Sequence, residues 1–82
     1  MNYDIKYTKN CLKYLRRLDK KLQLKILKAI NNLPNGDVKK LSSGEASLYR
    51  LRVGGYRAVF HKDVEKVIIL IIKIGPRGDI YK

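Results

Sequence analysis

Residues 47–62 read SLYRLRVGGYRAVFHK, in which two runs of alternating side chains flank Gly54-Gly55. A pair of glycines between two such runs predicts a two-residue hairpin loop with positive φ angles, and this loop pairs Arg52 with Arg57. One face of the hairpin then carries Tyr49, Leu51, Val53, Tyr56, Ala58 and Phe60, and the other carries Leu48, Arg50, Arg52, Arg57, Val59 and His61. We expect the first face to pack against helices and the second to stay open.

The residues before the hairpin predict one strand and two helices. Residues 3–7 alternate between apolar and polar side chains, which is the period of a half-buried strand. Thr8 and Asp19 stand where they can cap two successive amphipathic helices. The sequence Leu33-Pro34-Asn35-Gly36 predicts the end of the second helix.

The remaining segments complete a prediction of an α+β domain. Asp37–Ala46 reads as a connecting loop that Val38 and Leu41 attach to the core, and Val67–Ile74 reads as an internal strand. Gly75-Pro76 is expected to turn the backbone out of the sheet. The predicted order is β-α-α-β-β-β, with a helical hairpin on one face of a small, mostly antiparallel sheet and a single domain over residues 1–82.

Composition limits the function classes. The chain has 19 Lys and Arg against 7 Asp and Glu, a net charge of +12, so its field favours polyanions such as nucleic acid or an acidic protein. The single cysteine, Cys11, excludes an intramolecular disulfide, and we interpret it as a core residue of a metal-free protein in a reducing compartment. The first residues do not resemble a secretory signal, which predicts a cytoplasmic location.

Three arginines, Arg50, Arg52 and Arg57, converge on the open face of the predicted hairpin. Like charges directly opposite each other destabilise a sheet, so an anion is expected among them. Arginine suits phosphate because its planar fork donates paired hydrogen bonds and stays charged. The alternative is a solvated arginine face balanced by acids from elsewhere in the fold, although no acid occurs between Glu45 and Asp63.

Four short motifs resemble the RelE/ParE toxin superfamily. They are Val38-Lys39-Lys40-Leu41, Tyr49-Arg50-Leu51-Arg52, Gly55-Tyr56-Arg57-Ala58-Val59-Phe60, and Ile74-Gly75-Pro76-Arg77 with the later Tyr81. Each motif is weak alone, but their order and spacing are fairly specific, and the resemblance covers essentially the whole chain.

The resemblance implies a toxin of a type II toxin–antitoxin system that cuts mRNA in the ribosomal A site without metal or other cofactor. The RNA's own 2′-hydroxyl would attack the adjacent phosphate. By resemblance, Arg57 and Arg77 clamp that phosphate, Arg50 and Arg52 hold the backbone and neutralise the transition state, and Tyr81 orients the nucleotide. The implied partners are ribosome, mRNA and a cognate antitoxin, for which the net charge favours an acidic, partly disordered segment that masks the site or displaces the tail bearing Tyr81.

Two departures and two alternatives accompany this interpretation. Some RNase members carry lysines at the positions of Arg50 and Arg52, and an arginine is a poor proton carrier. The glutamate–histidine pair of another branch is absent, and we expect His61 to be structural. One alternative is a ParE-like inhibitor of DNA gyrase. The other is a non-catalytic nucleic-acid-binding domain, which the lack of an exposed row of aromatic rings disfavours.

Overall fold

The computed structural model describes residues 3–41 and 48–76, over which the element order is β-α-α-β-β-β-β. The elements are β1 (Asp4–Tyr7), α1 (Lys9–Arg17), α2 (Lys20–Asn31), β2 (Val38–Lys40), β3 (Leu48–Val53), β4 (Tyr56–Asp63) and β5 (Ile68–Pro76). The α+β class and the predicted helical hairpin are confirmed.

The two helices begin at the predicted caps. The hydroxyl of Thr8 accepts a hydrogen bond from the Cys11 N–H at 3.3 Å, and the carboxylate of Asp19 accepts one from the Leu22 N–H at 2.8 Å. Each bond satisfies a backbone donor that a helix N-terminus leaves without an intrahelical partner. None of the helices in the described residues is long and apolar enough to cross a membrane.

The strands form one mixed sheet of five strands in the order β1-β5-β4-β3-β2. Strand β1 runs parallel to β5, and every other neighbouring pair is antiparallel. The prediction of a loop over Asp37–Ala46 is wrong at its start, because β2 pairs with β3 at the sheet edge. Three residues are too few to show an alternating pattern, so this strand has no periodicity that identifies it in the sequence.

The hairpin of β3 and β4 has the predicted register, with Val53 opposite Tyr56 and Arg52 opposite Arg57. Its loop differs from the prediction in one respect. Gly54 has a φ of +58°, whereas Gly55 does not adopt the left-handed region. Positive φ at only the first loop residue is the pattern of a type II′ turn, which needs one glycine where a type I′ turn favours two.

Strand β5 is longer than predicted and irregular. The register shifts where Val59 pairs with Lys73 and Phe60 with Ile71, so Ile72 is the extra residue of a bulge. The expectation that Gly75-Pro76 leaves the sheet is wrong, because both residues remain in β5 and Pro76 lies opposite Tyr56. A proline is tolerated at a strand position whose N–H is not needed by the ladder.

The core lies between the helices and one face of the sheet. Its buried members come from both helices and the last three strands and include Cys11, Leu15, Ile26, Ile30, Leu51, Ala58, Phe60, Ile69, Ile71 and Ile74. Tyr49 and Tyr56 pack against them, which confirms the predicted apolar face of the hairpin. Val38 also packs there, but Leu41 is 39% exposed, so the expectation that it attaches the segment to the core is wrong.

Candidate functional site

Three arginines form the arginine cluster, Arg50, Arg52 and Arg57, on the sheet face opposite the helices, which we call the open face. Arg52 and Arg57 are direct cross-strand partners, a pairing that places Cβ atoms about 5 Å apart. Arg50 is two residues from Arg52 on β3 and lies opposite Val59. The structure therefore brings together the three hairpin arginines that the sequence predicted as a site.

Asp37, which was not among the predicted site residues, lies beside two of these arginines. Its carboxylate oxygen Oδ1 accepts a hydrogen bond from Arg50 Nη1 at 3.3 Å, and its Oδ2 is 4.0 Å from Arg52 Nε. The backbone carbonyl of Asp37 accepts a second bond from Arg50 Nη1 at 3.1 Å and one from the backbone N–H of Arg52 at 3.0 Å. The alternative of an acid from elsewhere in the fold is therefore realised at two of the three arginines.

The turn before β2 places Asp37 next to β3. Gly36 has a φ of +108°, and an added Cβ there would lie 3.3 Å from Leu51 Cδ1. The N–H of Val38 donates to the carbonyl of Gly36 at 3.0 Å, which closes a tight turn immediately before β2. A residue with a side chain at position 36 would be strained in backbone and packing, so glycine fixes where Asp37 lies.

The two arginines beside Asp37 differ in exposure. The side chain of Arg50 is 11% exposed and that of Arg52 is 46% exposed, while that of Asp37 is 56% exposed. Two acceptors on one residue hold the Arg50 guanidinium, whereas Arg52 has a single long contact. Of these two arginines, Arg52 is therefore the more accessible to a phosphate from solvent.

Two lysines extend the positive surface beyond the arginine cluster. Lys39 on β2 pairs with Arg50, and Lys73 on β5 pairs with Val59, so a row from Lys39 to Lys73 crosses four strands of the open face. At about 4.8 Å between neighbouring strands the row spans about 14 Å. Sequence reasoning missed both lysines, because β2 was assigned to a loop and the bulge at Ile72 changes which residues of β5 face outward.

The other predicted site residues lie partly outside the described region. Arg77 and Tyr81 fall outside the described residues, so their expected approach to the arginine cluster stays a prediction. Arg57 lies opposite Gly75 in the sheet, and Gly75 precedes Arg77 by two residues in the sequence. His61 pairs with Leu48 at the far end of the hairpin, as expected.

The groups with a clear pKa shift belong to the helical side of the sheet. Burial raises the pKa of the Cys11 thiol above its ordinary value, and the thiol lies 3.4 Å from the carbonyl oxygen of Ile71. Burial likewise raises the pKa of Tyr7 and of Tyr14. These groups stay protonated at neutral pH in the folded protein, as core side chains do.

Comparison with known proteins agrees with this fold. A protein-family model described as the ParE toxin of type II toxin–antitoxin system, parDE, matches residues 5–81. The chain is similar to a RelE-like toxin protein of Escherichia coli, with 26% identity over 99% of this chain and 92% of that protein.

Two solved structures extend the comparison to three dimensions. The archaeal RelE–RelB complex of Pyrococcus horikoshii contains a chain 32% identical to this one, with a TM-score of 0.80 over 96% of this chain and 99% of that chain. A mutant of the E. coli toxin RelE in the free state is 25% identical, with a TM-score of 0.70 over 99% of this chain and 92% of that chain. The family match over nearly the full length, together with these similarities, shows that this chain belongs to the RelE/ParE toxin superfamily of type II toxin–antitoxin systems.

Proposed function

We propose that this toxin is a ribosome-dependent endoribonuclease that cuts mRNA in the ribosomal A site. The observation that carries the proposal is the arginine cluster, in which Arg52 and Arg57 face each other across the hairpin on the open face. Repulsion between such neighbours is relieved by an anion, and arginine presents the paired donors that phosphate oxygens accept.

The proposed reaction needs an internal nucleophile and stabilisation of charge. The 2′-hydroxyl attacks the adjacent phosphorus, the bond to the 5′ oxygen breaks, and the products are a 2′,3′-cyclic phosphate and a 5′-hydroxyl. Negative charge on the nonbridging oxygens increases in the transition state, and donors placed in advance stabilise that charge more than that of the ground state. Arg57 and Arg77 clamp the scissile phosphate, and Arg50 and Arg52 support the backbone and neutralise charge.

Tyr81 completes the proposed site by stacking on or orienting the nucleotide next to the cut. A tyrosine ring offers a flat apolar face for a base, and its hydroxyl can donate or accept a hydrogen bond. Arginine keeps its proton at every relevant pH, so the arginines of the site stabilise charge and do not transfer protons.

The proposal is tested by mapping new mRNA ends in a cell-free translation reaction. The wild-type chain should cut at codon-spaced positions only when ribosomes are present. Arg57→Ala and Arg77→Ala should each lower the rate about a hundredfold to a thousandfold, the usual loss for one transition-state donor. Arg17→Ala removes an exposed arginine from α1 on the other side of the sheet and should cleave like wild type.

A second candidate function is inhibition of DNA gyrase, which the family description favours because it names a ParE toxin. A gyrase inhibitor has no need of a convergent phosphate site, so this function would leave the arginine cluster without a catalytic role. Intact mRNA under active translation, together with loss of gyrase supercoiling at stoichiometric toxin, would replace the RNase proposal with this one.

We also propose a cognate antitoxin as the partner of this chain. The P. horikoshii relative was crystallised with RelB. The net charge of +12 favours an acidic, partly disordered segment in the antitoxin of this chain, because opposite charge speeds association and a segment that folds on binding can wrap a small protein. Such a segment would block the site either by covering the arginine cluster or by displacing the residues around Tyr81.

A further inference from the structure

We propose that Asp37 is a positioning residue for the arginine cluster: it fixes Arg50, and its carboxylate keeps Arg52 beside Arg57 until a phosphate replaces it. The proposal rests on the proposed function for the identity of the phosphate as RNA. The positioning itself is a property of the contacts among these side chains.

The contacts of Asp37 with Arg50 form a two-point clamp. Arg50 Nη1 donates both to the backbone carbonyl of Asp37 at 3.1 Å and to its Oδ1 at 3.3 Å. Both bonds use one nitrogen, and a guanidinium has five N–H donors in a rigid fork, so the donors on Nε and Nη2 remain for other acceptors. A guanidinium held in this way keeps one orientation, which lowers the entropy lost when it binds a phosphate.

The contact of Asp37 with Arg52 is of a different kind. The separation of Oδ2 from Nε is 4.0 Å, and both side chains are about half exposed. An exposed ion pair at this distance contributes little to stability and exchanges easily with a competing anion. A carboxylate and a phosphate present similar oxygen acceptors to an arginine, so Asp37 occupies the place on Arg52 that a phosphate would take.

The position of Asp37 lets it hold Arg50 and contact Arg52 at the same time. The backbone N–H of Arg52 donates to the backbone carbonyl of Asp37 at 3.0 Å, which ties Asp37 to β3. The Asp37 carboxylate therefore stays next to Arg50 and Arg52 even if the Arg52 side chain changes its conformation. Its charge offsets part of the repulsion between Arg52 and Arg57 when no anion is bound. Loss of this charge should therefore tighten phosphate binding. Loss of the side-chain oxygen should leave Arg50 bonded only to the backbone carbonyl of Asp37, which loosens its orientation.

Two substitutions separate these effects. Asp37→Asn removes the charge but keeps an oxygen that accepts from Arg50, whereas Asp37→Ala removes both. The matched control is Asp4→Asn, which makes the same change of charge on β1, at the opposite edge of the sheet, where Asp4 pairs with Lys6. Each folded protein is titrated with inorganic phosphate while the arginine Nε–Hε signals are followed by NMR, and kcat and KM for mRNA on ribosomes are measured in parallel.

Asp37→Asn should bind phosphate about two- to fivefold more tightly than wild type and lower KM by a similar factor, as expected for removal of one exposed ion pair, with kcat little changed. Asp37→Ala should also broaden or move the Arg50 signal and lower kcat about tenfold, because a misplaced donor slows the chemical step. Asp4→Asn should match wild type. If Asp37→Ala does not fold, Asp37→Asn against Asp4→Asn still decides the role of the charge.

The outcomes distinguish this inference from the proposed function. If both Asp37 variants match Asp4→Asn in phosphate affinity, arginine signals and kcat, Asp37 does not position the cluster. If wild type cuts no mRNA while the phosphate titrations still separate the variants as stated, the endoribonuclease proposal fails and the positioning role stands.

Discussion

At the scale of single residues, the two arginines of β3 have different surroundings in spite of their similar sequence context. Arg50 is clamped by Asp37 and almost covered, while Arg52 is half exposed and faces Arg57. A largely buried guanidinium held by two hydrogen bonds keeps its orientation, whereas an exposed guanidinium can reorient to bind a ligand. We therefore expect Arg52 to contribute more to phosphate contact than Arg50, although the two look equivalent in the sequence.

The buried thiol of Cys11 gives a prediction on pH dependence. Its pKa in the folded protein is raised by burial above the ordinary value of 9.0, so the unfolded chain loses this proton first as the pH rises. The stabilising contribution of the neutral thiol is complete below pH 9.0 and is lost as the pH rises through the folded-state pKa. The limiting slope for one proton is about 1.4 kcal/mol per pH unit.

Denaturant unfolding of wild type and Cys11→Ala between neutral and alkaline pH measures this effect. The substitution should destabilise the protein at neutral pH, and the difference between the two proteins should shrink above pH 9.0. Tyr14 has a raised pKa in both proteins, so its effect cancels. The pKa of Tyr7 is raised by burial and also by the charge of Cys11, so the substitution lessens that shift and narrows the alkaline difference further. A difference that stays constant across the alkaline range would contradict the prediction.

The sequence predicted the arginine cluster because the glycine loop fixes the register and strand period fixes the face. It did not predict Asp37, since this residue is 13 positions from Arg50 and reaches it only through the pairing of β2 with β3. Pairing between distant segments is decided by tertiary packing, which a single sequence does not display. The same reason explains why Lys39 and Lys73 were missed.

At the scale of elements, caps and loops were the most predictable features. Two of them are helix caps, because Thr8 and Asp19 accept hydrogen bonds from N–H groups of the first helical turn. The third is Gly54, which provides the positive φ angle of the hairpin loop. Such local requirements can be recognised from a few neighbouring residues. The bulge at Ile72 and the continuation of β5 through Pro76 were not predictable in this way. Both depend on how β5 fits between two neighbouring strands.

The hairpin loop gives a prediction with a matched control. Gly54 has a φ of +58°, and its added Cβ would lie 3.3 Å from Lys25 Nζ, the mobile end of a long side chain. Backbone strain therefore dominates, and Gly54→Ala should lower the free energy of unfolding by about 1–2 kcal/mol. At Gly55 an added Cβ would meet nothing within 4 Å, and the φ angle is outside the left-handed region, so Gly55→Ala should change stability little.

Chemical denaturation of the two variants tests this assignment of the turn. Equal destabilisation by both substitutions would indicate that both glycines require positive φ, as in a type I′ turn. A larger effect at Gly55 than at Gly54 would contradict the observed loop conformation.

At the scale of the whole molecule, arginines lie on both sides of the sheet. The open face concentrates arginines beside a sheet surface, while exposed Arg16 and Arg17 lie on α1. An antitoxin segment that covers the open face should therefore protect one set of arginines and leave the other accessible. Both sets belong to one chain, so each measurement contains its own control.

Arginine modification by phenylglyoxal, mapped by mass spectrometry with and without the bound antitoxin, should show protection of Arg52 and Arg57 but continued reaction at Arg16 and Arg17. The protection should weaken at high salt, because screening reduces the attraction between exposed charges. Unchanged reaction at Arg52 and Arg57 would favour an antitoxin that acts by displacing the residues around Tyr81. Protection confined to Arg16 and Arg17 would contradict covering of the open face.

The parallel pairing of β1 with β5 has a consequence for biosynthesis. The first strand of the sheet can find its partner only after residues 68–71 have been made, and the buried Ile69, Ile71 and Ile74 on which the helices pack come from this same late segment. A nascent chain emerging at about 5–20 residues per second would therefore expose an incomplete core until β5 leaves the ribosomal tunnel. Folding would then require translation through β5, so a message truncated before this strand yields a chain that cannot complete its core.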